Sequence, residues 1–170
     1  MKDERLTRLA HNLINYSCRV QPGENILIET FDCPDAVAQA LIEAAVAAGG
    51  HPFVNLHRTE VEATLYQNAT REQVEAMARY DAARMSDMDA FVSLRGNDNF
   101  FEMAGLPAEQ AELFQNVYSK RVHMDIRLKK KWCVLRYPSP GMAQLAGMST
   151  RDFEDYYFDV CLVDYPALSK

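Results

Sequence analysis

Three acidic residues, Glu29, Asp32 and Asp98, lie at or just after the ends of short apolar segments that have the composition of buried strands. In an open parallel sheet, ligands bind at the carboxyl ends of the strands, and carboxylates there could hold a magnesium ion, as in phospho-receiver domains. A receiver also needs a lysine after a late strand, and residues 137–140 supply none. Because most aspartates and glutamates are solvated, we interpret these three as loop acids.

The histidines show no spacing that would place two of them on one metal ion. His51 and His57 share one face of a predicted strand but lie at its two ends. A strand rises ~3.3 Å per residue, which puts them too far apart to share a ligand. No HExxH pair occurs in the chain. We therefore interpret all four histidines, His11, His51, His57 and His123, as surface or hydrogen-bonded side chains.

Nucleophile and cofactor motifs are also missing from the sequence. No serine or cysteine lies in a G-x-S-x-G turn. Cys133 falls within a predicted buried strand, where an apolar setting raises the pKa of a thiol and leaves it inert. The segment after the first predicted strand, ETFDCPDAV, has three acids and no glycine. Dinucleotide and P-loop sites need glycines there so that backbone amides can approach phosphate, and both are excluded.

Composition narrows the class of protein further. The chain has 170 residues, of which 48% are hydrophobic and 25% charged, enough to build one folded domain. Its net charge of -6 argues against nucleic acid as a partner, and we interpret the basic residues 120–131 as a solvated loop. No apolar run suggests a membrane span or a signal peptide. Four cysteines without metal-site spacing fit a reduced, cytoplasmic protein.

Alternating strand and helix signals predict a three-layer α/β domain with about four parallel strands. The predicted strands are residues 25–29, 51–57, 89–95 and 132–137, and they are apolar throughout, as in sheets covered on both faces. Helices are predicted for the leucine-spaced N-terminus and for residues 34–48, 61–67 and 107–120, and after the caps Thr70 and Ser149. The charged residues 119–131 look like a linker.

Four stretches of the chain resemble the N-terminal domain of the thermophilic-type metalloaminopeptidases, the M29 family. They are PGENILIET, AAGGHPFVNL, DAFVSLRGNDN and KWCVLRYPSPGMAQLAGMSTRDFEDYYFDVCLVDY. The last is the longest and most specific, with a Trp-bearing strand, a proline turn, an Ala-Gln helix and Gly-Met-Ser before an acidic, aromatic helix. Together the four stretches extend over nearly the whole chain.

The resemblance implies a cytoplasmic, homodimeric exopeptidase that removes N-terminal residues from peptides with two divalent metal ions, such as zinc or cobalt. In the family the metal ligands come from a C-terminal catalytic domain. We therefore expect residues 1–170 to be a single non-catalytic domain of a longer two-domain enzyme. On that basis the chain alone would be inactive, with no catalytic residue and no bound metal or cofactor. Trp132 and the aromatic last helix would form its core and its junction with the absent domain.

Five residues at predicted strand ends are the candidates to face the substrate cleft of such an enzyme: Arg95, Asn97, Asp98, Arg136 and Tyr137. The alternative is a stand-alone module of receiver or flavodoxin type that acts through a small ligand or a partner protein. Binding of magnesium or flavin would favour the module. Peptidase activity that requires sequence beyond Lys170 would favour the aminopeptidase.

Overall fold

Four strands form one parallel sheet in the computed structural model, which describes residues 3–96 and 99–168. They are β1 (Asn25–Phe31), β2 (His51–His57), β3 (Ala90–Arg95) and β4 (Lys131–Arg136). Their order across the sheet is β2-β1-β3-β4, and each neighbouring pair runs parallel. The predicted parallel α/β fold is confirmed.

Helices connect the strands and cover both faces of the sheet. They are α1 (Glu4–His11), α2 (Asp35–Ala47), α3 (Thr59–Asn68), α4 (Arg71–Ser86), α5 (Ala108–Leu113), α6 (Pro140–Leu145), α7 (Thr150–Cys161) and α8 (Tyr165–Leu168). Two of them continue as π-helical turns, α1 over Asn12–Ser17 and α5 over Phe114–Met124, and a 3-10 turn follows at Arg127–Lys129. The segment 119–131, predicted as a linker, is therefore largely helical.

Local sequence signals set several helix boundaries. The hydroxyls of Thr70 and Ser149 accept hydrogen bonds from backbone amides three residues later, as their cap positions predict. Helix α2 ends in a Schellman arrangement, in which Gly49 adopts φ +81° and Gly50 N–H donates to Ala45 O at 2.9 Å. Pro34 lies one position earlier than predicted, at the N-cap of α2.

The first core lies between one face of the sheet and helices α1, α2 and α7. Alternate residues of the strands enter it, because side chains of a strand point to opposite faces in turn. Ile26 and Ile28 of β1 and Val92 of β3 are fully buried there, beside Phe158 of α7. The aromatic helix α7 therefore packs on this domain's own sheet.

The second core lies between the opposite face and helix α4 with the π-helical turns after α5. Leu27 and Phe91 contribute from the sheet and Met85 from α4. Trp132, which we expected in the core, is 44% exposed because β4 is an edge strand. No helix in residues 3–96 and 99–168 is long and apolar enough to cross a membrane.

Candidate functional site

The face of the sheet that packs on α4 changes from apolar to polar toward the carboxyl ends of the strands. Strand register places side chains on this face in three rows, since neighbours in a parallel pair point the same way. The rows, each from β2 to β4, are Phe53, Leu27, Phe91 and Trp132; then Asn55, Glu29, Ser93 and Val134; then His57, Phe31, Arg95 and Arg136. Polar side chains are therefore concentrated at the carboxyl edge of the sheet.

His57 lies between two carboxylates at this edge. Its Nδ1 is 2.5 Å from Oε1 of Glu62 on α3, and its Nε2 is 3.6 Å from Oε1 of Glu29 on β1. Glu29 is only 8% exposed, and its Oε1 also accepts a hydrogen bond from Asn55 Nδ2 at 3.1 Å. The interpretation of Glu29 as a solvated loop acid is therefore wrong. The interpretation of His57 as a hydrogen-bonded side chain is confirmed.

The two carboxylates change the protonation of His57. Burial by itself lowers the pKa of this imidazole, but the contacts with Glu29 and Glu62 outweigh it and raise the pKa to about 9. Burial raises the pKa of Glu29, and its partners His57 and Asn55 bring that pKa below its ordinary value. At neutral pH His57 is therefore held as an imidazolium, with Glu29 as its charged partner on β1.

Helix α4 is tied to the same polar row. Arg84 of α4 donates from NH1 to Oδ1 of Asn55 at 2.8 Å, while the amide nitrogen of Asn55 is used by Glu29. These two bonds fix the orientation of the Asn55 amide, and through them Asn55 links α4, β2 and β1. These bonds hold the strands and the helix in register beneath the carboxyl edge.

The chain reverses its winding direction between β1 and β3, so their carboxyl ends flank the topological switch point of the sheet. Asp32, directly after β1, lies there with φ +50°, in the left-handed region that few non-glycine residues adopt. Its carboxylate accepts hydrogen bonds from the backbone N–H of Thr59, at 3.0 Å, and from the Thr59 hydroxyl. Because Arg58 at the N-cap of α3 makes no side-chain cap, Asp32 supplies that cap from another loop.

Two cavities adjoin Asp32 at the switch point, and we call them together the edge crevice. The first, about 390 Å³, is lined by Asp32, Arg58, Thr59, Glu60, Val61, Asn99 and Glu102. The second, about 500 Å³, is lined by Asp32, Cys33, Pro34, Asp35, Arg58, Tyr137, Pro138, Ser139 and Pro140. Asp32 and Arg58 belong to both, so among the described residues the crevice presents acids together with the guanidinium of Arg58. Such a surface suits a polar ligand that carries charges of both signs.

Three of the five predicted cleft residues are described, and they lie at the expected edge. Tyr137 lines the larger cavity of the crevice. Arg95 and Arg136 are register neighbours on the polar face, with the Arg95 guanidinium 4.9 Å from the ring centroid of Phe31. Asn97 and Asp98 lie outside the described residues. Whether the five contact a substrate stays a prediction.

The sequence analysis missed the contribution of Arg58 and the buried ion pairs of His57. A signal was present in the strands themselves, because Glu29 and Asn55 interrupt otherwise apolar segments at positions that register brings side by side. A buried charge needs a partner, and the histidine two residues after Asn55 was the available cation. Recognising this required the strand pairing of β1 with β2.

The cysteines lack the properties of nucleophiles. Burial raises the pKa of Cys18 to about 12 and that of Cys33 to about 11. Burial also raises the pKa of Cys133, in the direction expected of an unreactive thiol.

The described residues do not fit a metal site. No three side chains of the types His, Cys, Asp and Glu come together as ligands within residues 3–96 and 99–168. His57, the histidine nearest to two carboxylates, is held as a cation, and a metal ligand must be neutral imidazole.

The fold and the edge crevice define a parallel α/β domain that presents polar groups at the carboxyl edge of its sheet. The protein-family model described as thermophilic metalloprotease (M29) matches residues 2–168. The chain therefore belongs to the M29 family of metallopeptidases, as its sequence resemblance implied.

Wild-type AmpT from Thermus thermophilus is a similar solved structure, with a TM-score of 0.72 at 17% identity. The match covers 96% of this chain and 44% of the AmpT chain, so this chain spans less than half the length of AmpT. An alcohol dehydrogenase superfamily protein from Novosphingobium aromaticivorans matches with a TM-score of only 0.35, at 13% identity over 92% of this chain and 47% of that one. At these identities the AmpT likeness shows the fold alone. No curated protein matches significantly.

Proposed function

We propose that this chain is the non-catalytic N-terminal domain of a cytoplasmic, homodimeric aminopeptidase that removes N-terminal residues from peptides. The two divalent ions of the reaction, such as zinc or cobalt, would be bound by a C-terminal domain outside these residues. Metal ions in such a site polarise the scissile carbonyl and lower the pKa of a bound water. Support comes from membership of the M29 family and from a match that extends over 44% of the AmpT chain.

The role proposed for this domain is to shape one wall of the substrate cleft with its edge crevice. This role is supported by one observation: Asp32 and Arg58 border both cavities at the switch point, where open α/β sheets bind their ligands. A free peptide carries a cationic amino terminus and an anionic carboxylate, and the crevice offers groups of both signs. Arg95, Asn97, Asp98, Arg136 and Tyr137 are proposed to face the same cleft.

The proposal that catalysis requires a C-terminal domain is tested by measuring the aminopeptidase activity of two proteins with zinc or cobalt. One is the 170-residue chain, and the other is the product of its natural reading frame continued beyond Lys170. We expect hydrolysis of short peptides by the longer product alone. Comparable activity in the 170-residue chain would overturn the proposal, and so would a stop codon directly after Lys170.

The cleft role is tested by kcat/KM of the longer protein on peptides of two and ten residues. Arg58→Ala and Arg136→Ala should lower kcat/KM by about tenfold or more for the longer peptide, since one charge-assisted hydrogen bond is worth about 1.5–3 kcal/mol. Arg71→Ala, at an exposed arginine of α4, is the matched control. Unchanged kcat/KM for both peptides in both variants would exclude a cleft role for this edge. It would not contradict the proposed aminopeptidase activity.

A further inference from the structure

A second polar region lies on the α4 side of the sheet, behind the carboxyl edge, and the edge crevice does not use it. It consists of Ser93 and Arg95 on β3 together with His123 and Arg127 from the segment after α5. In the described protein, five buried side-chain atoms of these residues have no hydrogen-bond partner: Ser93 Oγ, Arg95 Nε, His123 Nδ1, Arg127 Nε and Arg127 NH1. We call these four residues the donor cluster.

The donor cluster is gathered along β3. Phe91, Ser93 and Arg95 point to one face of this strand, spaced by about 7 Å for each pair of residues. The guanidinium of Arg127 lies 5.2 Å from the ring centroid of Phe91 and 4.9 Å from that of Trp132. Ser93 therefore stands between Arg127 on one side and Arg95 on the other.

The charges of the donor cluster act on one another. Burial lowers the pKa of Arg127, and the neighbouring charge of Arg95 lowers it further. Burial likewise lowers the pKa of His123, with Arg127 as the next largest cause. Both arginines are partly buried, and like charges in such a setting repel each other unless an anion offsets the repulsion.

The nearest acid offsets only part of this repulsion. Glu29, the register neighbour of Ser93, raises the pKa of Arg127 and His123 by its charge, but its Oε1 contacts Asn55 and His57, and no hydrogen bond joins it to the donor cluster among the described residues. No ion pair of Arg95 or Arg127 occurs among the described residues. Buried N–H groups are nearly always paired in folded proteins, so unpartnered donors concentrated in one place indicate a missing acceptor.

We propose that the donor cluster is a buried site for a small oxyanion, a carboxylate or a phosphate. Guanidinium groups bind such planar or tetrahedral oxygen sets with paired N–H bonds, and here both are held in place by aromatic rings. Ser93, fully buried and without a partner, would donate the third hydrogen bond from the floor of the site. None of the four residues lines the edge crevice, although Arg95 is also one of the residues proposed to face the substrate cleft.

The proposal is tested by thermal unfolding of the 170-residue chain in acetate and, separately, in inorganic phosphate, with sodium chloride keeping the ionic strength constant. We expect a saturable rise in Tm with at least one of the two anions, because a ligand that binds the folded state stabilises it by mass action. The anion that raises Tm at the lower concentration shows whether the site prefers a carboxylate or a phosphate. A rise that is linear and does not saturate would overturn the proposal.

Three variants keep the test specific. Arg127→Met retains the aliphatic stem against Phe91 and Trp132 and should weaken the anion effect at least tenfold. Ser93→Ala should weaken it severalfold, with less risk to the fold. Arg121→Met, an exposed arginine of the same π-helical segment, should leave the effect unchanged. An equal anion response in all three variants would overturn the site, as would a high-resolution crystal structure from acetate or phosphate with only water on the five atoms.

Discussion

The imidazole of His57 lies flat against the phenyl ring of Phe31, with ring centroids 4.2 Å apart and ring planes 7° apart. Strand register makes the two residues neighbours on β2 and β1, and Arg95 approaches Phe31 from β3. A charged imidazole on an aromatic face gains a cation–π contact in addition to its two carboxylates. The contacts of His57 therefore all favour its protonated form, and it joins β1, β2 and α3 as a structural cation.

Stability should decrease with pH as His57 loses its proton. The pKa of this group in the folded state, about 9, is above its ordinary value of 6.5. Its contribution is therefore complete below pH 6.5 and is lost as the pH rises through 9. Since part of the side chain contacts solvent, we expect a loss on the order of 2 kcal/mol, measured by urea unfolding between pH 6 and pH 10.

Two substitutions separate this effect from general alkaline destabilisation. His57→Gln should flatten the pH profile, whereas His51→Gln, at the exposed opposite end of β2, should leave it as in the wild type. Parallel profiles for the wild type and His57→Gln would show that the imidazolium contributes nothing to folding.

The parallel sheet could be predicted from sequence because its strands are short apolar runs bounded by turn residues, such as Pro22-Gly23 and Gly49-Gly50. Caps were equally visible, since a hydroxyl such as that of Thr70 acts within its own turn. The cluster around His57 was not, because its members come from β1, β2 and α3 and meet only through tertiary packing. Spacing along the chain carries no signal for such contacts.

The position of each strand within the sheet could not be predicted from the sequence either. Trp132 reads as a core residue in an apolar strand, yet β4 is an edge strand and its indole is half exposed. The basic residues 120–131 were interpreted as a solvated loop, yet Arg127 stacks on Phe91 and Trp132. Long cationic side chains can bury their stems and planar groups on aromatic rings, and composition alone does not show it.

Asp32 should be required for the start of helix α3. Asp32→Ala removes the acceptor for Thr59 and leaves alanine in a left-handed conformation, so we expect a loss of about 1–2 kcal/mol in unfolding free energy. Asp32→Gly also removes the acceptor but adopts φ +50° without strain, and it should lose less. Equal stability of the two variants would contradict a strained backbone at this position, and urea titration decides it.

A side chain at Gly96 should destabilise the fold, because a β-carbon there would lie 3.0 Å from the backbone oxygen of Asp32. The Gly96 N–H donates to Phe31 O at 2.9 Å, which prevents the two loops from separating freely. We expect Gly96→Ala to cost about 1–3 kcal/mol. Gly105→Ala is the matched control, since its nearest neighbour is the flexible end of Gln67 at 3.7 Å. Similar urea midpoints for both variants would refute the crowding.

Tyr157 should anchor helix α7 to the carboxyl end of β4. Its hydroxyl donates to the backbone oxygen of Arg136 at 2.6 Å, and the side chain is only 7% exposed. Tyr157→Phe keeps the ring in the core and removes the contacts of the hydroxyl, which also include Cys161, so we expect a loss of about 0.5–1.5 kcal/mol in chemical unfolding. Tyr156→Phe, at a neighbouring ring that is 56% exposed, should change stability by no more than a few tenths. If both substitutions had the same small effect, the attachment of α7 would depend on its apolar contacts, with Phe158 foremost among them.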